Sequence, residues 1–412
     1  MQILFVATNL PIPPDSGQSI RGLSIIRALA SIGHKLTFIS FASKNRPSNL
    51  NPLPSFCDCI ELLDREMRNL TLQPNYGERL KSLLKLRCYS IERFRSALMR
   101  ERIQAQLRQA KYDLIICDAV YGLVNIPETP VPILLNTHNV EYVILRRYAR
   151  MEKNPVKKYY ALAESKLMHL AERKACRQIA GAMVCSGLDR EIFQQLRPDL
   201  PVSVVPNVVD TDSIRPENPE RIAENSPVLL FQGVMDWYPN RDAVKFFTQR
   251  IFPAIRAEYP AVRFIVAGRN PPNDFVAGFR SAPNIEFTGT VPDMRPYLAS
   301  ATVIVVPLRL GGGTRIKILE ACAAGKPVVS TSIGAEGLDL EPRKEIIVAD
   351  DPADFARSVV SLLHEPAKCA ALAKSGRAAV VERYSQSTLR SALDSLISEY
   401  STGVVGSISK QG

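Results

Sequence analysis

Three consecutive glycines, Gly311, Gly312 and Gly313, follow closely on the apolar run Val303-Ile304-Val305-Val306-Pro307. They lead through Thr314 into Arg315-Ile316-Lys317-Ile318-Leu319-Glu320. The apolar run reads as a buried strand and the segment after Thr314 as a helix. Glycine lets backbone N–H groups approach a ligand without side-chain obstruction. The first turn of a helix offers unpaired N–H groups and the positive end of its dipole to an anion. Arg315 and Lys317 are placed in that first turn, where cations oppose the dipole and weaken the helix, so a negative ligand accounts for them. Lys317 and Glu320 are three apart and share a helix face. The arrangement suits a diphosphate at the first turn, with hydroxyls of the same ligand donating to Glu320 one turn later. A tight turn carrying solvated charges is the plainer alternative.

The elements around this loop must come from a larger pattern. Ile3 to Ala7 is a short apolar run, followed by the turn-rich Pro11-Ile12-Pro13-Pro14-Asp15-Ser16-Gly17. A helix is then expected with Ile20, Leu23, Ile26, Leu29 and Ala30 on its buried side and Gly33 as its cap. Leu36 to Phe41 reads as the second strand; Leu114 to Cys117, Ile133 to Leu135 and Ala182 to Val184 read as central strands. The pattern restarts at Val228-Leu229-Leu230-Phe231-Gln232-Gly233 and continues through strands at Phe264 to Ala267, Ile285 to Phe287, Val303 to Val306, Val328 to Ser330 and Ile346 to Val348. Strands alternating with helices imply parallel sheets of the α/β class. Two such halves predict two doubly wound Rossmann-like domains facing across a cleft, with ligands at the carboxyl ends of strands.

The expected boundaries are an amino-terminal domain over 1–206, a polar, proline-containing linker over 207–226 and a second domain over 227–385. A terminal helix over 386–402 is expected to pack back on the first domain, ahead of a loose tail over 403–412.

A chain of 412 residues is long for one core, and 46% hydrophobic with 23% charged residues is a globular composition. No apolar run approaches the roughly 20 residues that span a bilayer. Met1-Gln2-Ile3-Leu4-Phe5-Val6 lacks a basic flank and a cleavage site and reads as a strand rather than a signal peptide. The eight scattered cysteines read as buried or idle thiols in a reducing compartment. A cytoplasmic location, at the inner face of the cell membrane, follows as the expectation. The net charge of +11 is concentrated in segments 79–108 and 146–177, which together carry more than the whole excess. Both segments look helical, and the first interleaves Leu80, Leu83, Leu84, Leu86, Ile91, Phe94, Leu98 and Ile103 with its charges. Solvated helix faces are one reading. The other is a basic amphipathic surface resting on anionic lipid or facing a lipid-linked acceptor. Nucleic acid is disfavoured because no binding module is recognisable.

A resemblance sharpens the central loop. Glu320-Ala321-Cys322-Ala323-Ala324-Gly325-Lys326-Pro327-Val328-Val329, continued by Thr331-Ser332-Ile333-Gly334-Ala335-Glu336-Gly337, resembles the donor motif of glycosyltransferase family 4, whose members have the two-domain GT-B fold. The whole second half is similar to that family's nucleotide-binding domain. Trp237-x-Pro239-Asn240 together with Gly311-Gly312-Gly313-Thr314-Arg315 resembles a branch linked to bacterial exopolysaccharide assembly. The resemblance implies that Glu320 holds the ribose hydroxyls of a nucleotide-sugar. The chain departs from the family twice. The first motif glutamate, which in the family touches the transferred sugar, is Gly312 here, leaving Gly312 and Gly313 to offer backbone N–H groups. The Arg/Lys pair that grips the diphosphate after the domain's first strand is missing from Gln232-Gly233-Val234-Met235-Asp236-Trp237-Tyr238-Pro239-Asn240-Arg241, which keeps only Gly233. Arg315 and Lys317 are the expected replacements, with Arg241 less favoured.

Further donor contacts are expected from the Val266-Ala267-Gly268 loop and from Thr290 and Val291, which resemble the place where family members hold the base. In the first half, Gly17 stands where the family keeps glycines near the phosphate. His138, directly after a buried strand, matches the family's histidine that contacts the transferred sugar and orients the acceptor. Glu141 is its candidate neighbour; His34, His169 and His364 look incidental. Asp210-Thr211-Asp212 matches a metal-binding string of other sugar transferases, but Asx-turn chemistry explains it, so no metal and no cofactor are expected. The implied activity is transfer of a hexose, with retention, from a nucleoside diphosphate sugar to a hydroxyl of a glycan or lipid-linked glycan. A sugar-nucleotide epimerase of the same fold and a non-catalytic donor-binding partner of an active transferase remain open. A nicotinamide dehydrogenase is disfavoured because no Gly-x-Gly-x-x-Gly opens either half.

Overall fold

The structure, a computed structural model, describes residues 1–14, 16–42, 49–64, 76–216, 226–279, 282 and 284–401. Residues 217–225 of the expected linker and the expected tail (403–412) therefore lie outside the described residues. The chain divides into two compact units, one of Met1–Pro206 with the segment from Leu389 onward, the other of Asn207–Thr388.

The first unit is built on seven strands: β1 (Gln2–Ala7), β2 (Lys35–Ala42), β3 (Cys59–Asp64), β4 (Leu114–Asp118), β5 (Ile133–Asn136), β6 (Gly181–Val184) and β7 (Val202–Val204). They pair in parallel in the order β3-β2-β1-β4-β5-β6-β7. β1, β2, β4 and β6 are buried almost end to end, as strands covered by helices on both faces must be. The order reverses between β1 and β4, so the loops after these two strands diverge and leave a crevice. The second unit has six strands: β8 (Val228–Gln232), β9 (Arg263–Ala267), β10 (Ile285–Gly289), β11 (Val303–Val306), β12 (Val328–Ser330) and β13 (Ile347–Val348). These are parallel in the order β10-β9-β8-β11-β12-β13, with the reversal between β8 and β11. The glycine-rich loop follows β11, and Gly233 follows β8. Both therefore sit where a doubly wound sheet binds ligands.

The basic segments are not single helices. Residues 79–108 cross three, Tyr76–Leu84, Tyr89–Glu92 and Ala97–Gln109. The first is closed off by Leu86, just beyond its end and in the left-handed region with φ 51°, where the N–H groups of Leu86 and Arg87 donate to Leu83 O and Ser82 O. The last begins at Ser96, whose hydroxyl accepts from Met99 N–H. Segment 146–177 is divided between Glu141–Met151 and Pro155–Gln178, because Asn154 caps the second helix and Pro155 can only begin one. Strand β3 had no clear signature. It is a partly exposed edge strand whose Glu61 pairs with Arg102, so neither a buried run nor a clean alternation marks it.

The helix Gly17–Ser31 buries Arg21, Ser24 and Ile25 along with Ile26, Ala28 and Leu29, whereas Ile20, Leu23 and Ala30 are only half-buried. The expected face is rotated because Arg21 is drawn inward by hydrogen bonds to the Asn136 side chain and Val205 O. The second unit's core stacks Phe264 against Phe247 and Phe252, with ring centroids 4.6 and 5.8 Å apart. Phe264→Ala should lower unfolding free energy by about 3–5 kcal/mol, since its aromatic neighbours cannot collapse onto the gap. Denaturant unfolding measures this, and a loss under about 1 kcal/mol would contradict the packing described.

Candidate active site

After β11 the chain runs through Pro307 to Thr314 before the helix Ile316–Ala323 begins. Gly311 and Gly313 take φ +130° and +66°, conformations that side-chain-bearing residues avoid. The loop is tied down on several sides. Arg309 makes a two-point ion pair with Asp242 at 3.0 and 2.7 Å and lies over the Phe246 ring. Thr331 donates to Leu308 O, and Asn207 Nδ2 donates to Thr314 Oγ1 at 2.6 Å.

Arg315 is not in the first helical turn. It is the capping residue, in extended conformation, and its guanidinium folds back to donate to Gly312 O, Gly313 O and Ile333 O. A Cβ at Gly311 would lie 2.6 Å from that guanidinium, so the arginine and the glycine require each other. Arg315 fastens the loop from within.

Lys317 does lie in the first turn of that helix. Its Nζ donates to Asn240 Oδ1 at 3.0 Å and lies 4.2 Å from the centroid of the Phe231 ring. Glu320 accepts from Gln232 Nε2 at 2.6 Å, while the other amide atom, Gln232 Oε1, is buried without a hydrogen-bond partner. Gly233 completes the floor: a Cβ there would stand 2.9 Å from Lys317 Nζ. Gly268 sits against it, since a Cβ at Gly268 would fall 1.9 Å from Gly233 O. Thus Gly233, Gly268, Lys317 and Glu320 converge at the carboxyl ends of β8 and β9. Gly268 N–H donates to Gly289 O at 3.3 Å, which links in the loop after β10. Thr290 is exposed and Val291 half-buried in that loop, two strands from β8 in the sheet. Gln232 and Asn240 were missed in the sequence; Gln232 could have been flagged as the polar residue closing an apolar strand. Arg241 turns away, donating to Met235 O.

In the first unit, His138 Nε2 is 2.9 Å from Asp118 Oδ1, and Asn136 Nδ2 donates to the same oxygen at 2.5 Å. Arg21 holds Asn136 in turn, at 2.9 Å. β4 and β5 end side by side, with Asp118 opposite Asn136, so the sheet register brings this carboxylate to the histidine. Asp118 was not singled out, although it is the polar residue that closes the apolar strand β4. Gly17 opens the helix after β1, capped by Ser16. Glu141, two residues after Asn139, is hydrogen-bonded to Tyr121 and Asn139, and burial pushes its pKa upward against those bonds. Glu172 accepts the N–H groups of Glu141 and Tyr142 at 2.9 and 3.1 Å, and burial raises it to about 8. Asp210 closes an Asx turn, accepting from the N–H groups of Asp212 and Ser213. Among the described residues, no His, Cys, Asp and Glu group has the spacing to hold a metal ion.

Residues 226–365 match the model of the family described as glycosyl transferases group 1. This segment is a group 1 glycosyltransferase domain. Over 375 residues the chain is 20% identical to an uncharacterized 44.6 kDa protein in the cps region of Klebsiella pneumoniae, covering 87% of this chain and 90% of that one. Among solved structures it resembles sucrose-phosphate synthase from Thermosynechococcus elongatus, with TM-score 0.74 and 17% identity over 98% of this chain and 100% of that one. It also resembles the Anabaena HepE protein in complex with UDP and glucose, with TM-score 0.67 and 17% identity over 97% and 99% of the two chains. The fold is accordingly GT-B, with two Rossmann-like domains.

In the glycosyltransferase domain, burial acts on Lys317 and Glu320 in opposite directions. It depresses the lysine to about 7, helped by Arg315, and raises the glutamate to about 7. Glu320 in the folded protein retains a proton that the unfolded chain releases. Its contribution to stability is full below about pH 4.5 and is lost as pH rises through about 7. Lys317 behaves inversely, losing its contribution as pH falls from about 10.5 through 7. Glu320→Gln should therefore flatten the acid-side slope, by on the order of 1–3 kcal/mol between pH 4.5 and 7. Unfolding free energy measured against pH tests this; an unchanged slope would exclude a buried, proton-retaining carboxyl.

Proposed function

We propose that this chain transfers a hexose from a nucleoside diphosphate sugar to a hydroxyl of a glycan or lipid-linked glycan in exopolysaccharide biosynthesis. One observation carries the reading: a partly buried ammonium, Lys317, and a carboxyl, Glu320, share a helix face at the β8/β11 switch point, framed by glycines. Lys317 and the N–H groups of the helix Ile316–Ala323 would take the diphosphate, and Glu320 the ribose hydroxyls. Thr290 and Val291 would border the base. Gly312 and Gly313 would offer main-chain groups to the sugar. Fixed charge at the departing diphosphate lowers the barrier without reorganisation at the moment of reaction. His138, oriented by Asp118, would contact the sugar on the acceptor side, with Gly17 near the phosphate. Retention by front-face attack is what the family resemblance implies. That the Anabaena relative was solved with UDP-glucose supports a nucleotide-sugar donor.

The basic segments support a place for this chemistry at the inner face of the cell membrane. Leu80, Leu84 and Leu86 are 58, 77 and 79% exposed beside Lys81, Lys85 and Arg87, and Val156 and Tyr159 stand exposed beside Lys157 and Lys158. The two segments adjoin, because the Arg79 guanidinium lies over the rings of Tyr89 and Tyr160. Leucines presented among cations suit an anionic bilayer surface, and no helix among the described residues is long and apolar enough to cross it.

A thermal-shift panel of UDP-, GDP-, ADP- and dTDP-sugars tests the donor. One should raise the melting temperature by about 5 °C at saturating concentration, and Lys317→Met should abolish that shift. Binding without donor hydrolysis or transfer would point instead to a non-catalytic partner of an active enzyme, the reading that the loss of the motif glutamate at Gly312 favours. Because Lys317 supplies the cation, EDTA should leave turnover unchanged, and a chelator-sensitive rate would refute metal independence. Sedimentation with phosphatidylglycerol vesicles, but not phosphatidylcholine vesicles, should be lost in the double variant Leu80→Ser and Leu84→Ser.

A further inference from the structure

The Trp237-Tyr238-Pro239-Asn240 string has no part in the donor contacts described above. It forms the entry to the helix Tyr238–Phe246, with Pro239 in the first turn, where a missing N–H costs nothing. Asn240, buried, is held at three points. Its N–H donates to Trp237 O at 3.1 Å, and its Nδ2 donates to Val234 O at 2.8 Å. With the NH₂ end engaged by Val234, the amide oxygen is the end that faces Lys317, and it accepts from Nζ at 3.0 Å. The lysine reaches this point from a different element, the helix after β11, and crosses the Phe231 ring on the way. Gly233 leaves the space in which the two meet, since a Cβ there would stand 2.7 Å from Asn240 Nδ2 and 2.9 Å from Lys317 Nζ. Beside them Gln232 Oε1 is buried without a partner, so the same floor retains an acceptor that a ligand hydroxyl or N–H can satisfy.

We propose that Asn240 is a positioning residue, which fixes the Lys317 ammonium at the donor diphosphate. Gly233, Asn240 and Lys317 then act as one device for presenting a cation at the end of β8, where the loop itself supplies none. An ammonium on a four-carbon stem samples many positions, and one short charge-assisted hydrogen bond to a rigid amide removes most of that freedom before the ligand arrives. The amide keeps the charge available, because it accepts one of the three N–H bonds of the ammonium and leaves the others for phosphate oxygens. The inference rests on the donor reading above.

The test compares phosphate recognition with base and ribose recognition. Isothermal titration of the full chain with UDP, GDP, ADP and dTDP, each beside its nucleoside, identifies the diphosphate that binds the wild type. Asn240→Leu, which keeps bulk and removes the acceptor, should then weaken that diphosphate about 10- to 100-fold and leave the nucleoside within about twofold. In the Lys317→Met background the same substitution should have no further effect on the diphosphate, because the asparagine acts through the lysine. Should Asn240→Leu fail to fold, Asn240→Ser carries the same cycle. Equal losses for nucleoside and diphosphate, an unchanged diphosphate affinity, or additive losses in the double variant would each overturn the role of Asn240 while leaving the donor reading in place. A wild type that binds none of the four diphosphates would overturn the donor reading, and this inference with it.

Discussion

The half-buried Lys317 ammonium is the constraint from which the rest of the second unit's site follows. Removing such a charge from water costs several kcal/mol unless partners replace the lost solvent. Here Asn240 Oδ1, the Phe231 ring and the neighbouring Glu320 replace part of it. The replacement is incomplete, and the lysine is pulled down toward neutrality while the glutamate is pushed up. An arrangement that keeps two opposite groups near their switching point stabilises the free protein poorly. It is well suited to a ligand bearing both negative phosphates and donating hydroxyls, because each part of such a ligand favours the charged form of one partner. That complementarity separates this site from an ordinary structural ion pair such as Arg383 with Glu345, where two hydrogen bonds at 2.9 and 3.0 Å satisfy the carboxylate outright.

Positioning depends on topology as much as on local sequence. A doubly wound sheet leaves the loops after β8 and β11 side by side, because the strands are neighbours whose helices depart to opposite faces. Lys317, carried by the helix after β11, can therefore reach Asn240, carried by the helix after β8, across 77 positions of sequence. Gly268 shows the closeness of this packing: the backbone of the β9 loop touches that of the β8 loop so tightly that no side chain fits between them. The same logic gathers Asp118, Asn136 and His138 at the ends of β4 and β5 in the first unit.

Much of this was legible in the sequence, and the exceptions share a cause. Apolar runs marked eleven of the thirteen described strands because parallel strands covered on both faces must be apolar throughout. The other two, β3 and β7, lie at the two edges of their sheet, where that requirement lapses, and β3 carries Glu61 and Asp64. Gly233, Gly268, Lys317 and Glu320 were recognisable from type and position. Gln232, Asn240, Asp118 and Arg21 were not, since their importance lies in partners between 18 and 184 residues away. The helix face containing Arg21 was misread for this reason: a periodic pattern counts an arginine as surface, whereas hydrogen bonds to the Asn136 side chain and the Val205 carbonyl help make its burial tolerable.

Arg315 shows how type and position can suggest a role that geometry reassigns. Two cations two positions apart after a glycine loop look equivalent, yet each helical residue turns the chain by roughly 100°, so the pair points to nearly opposite sides. Lys317 lies on the face that meets β8, whereas Arg315, before the first turn, points back into the loop. There its planar fork suits the neighbouring carbonyls of Gly312 and Gly313, which a point-like ammonium could not bridge equally well. The carbonyls so engaged point toward the guanidinium, and an anion approaching the loop would otherwise be repelled by them. The arginine thereby organises the backbone of the loop, whereas the lysine holds its charge at the end of β8. With Gly312 standing where the motif that this segment resembles has a glutamate, the loop presents main chain there in place of a side chain, and its shape rests on Arg315.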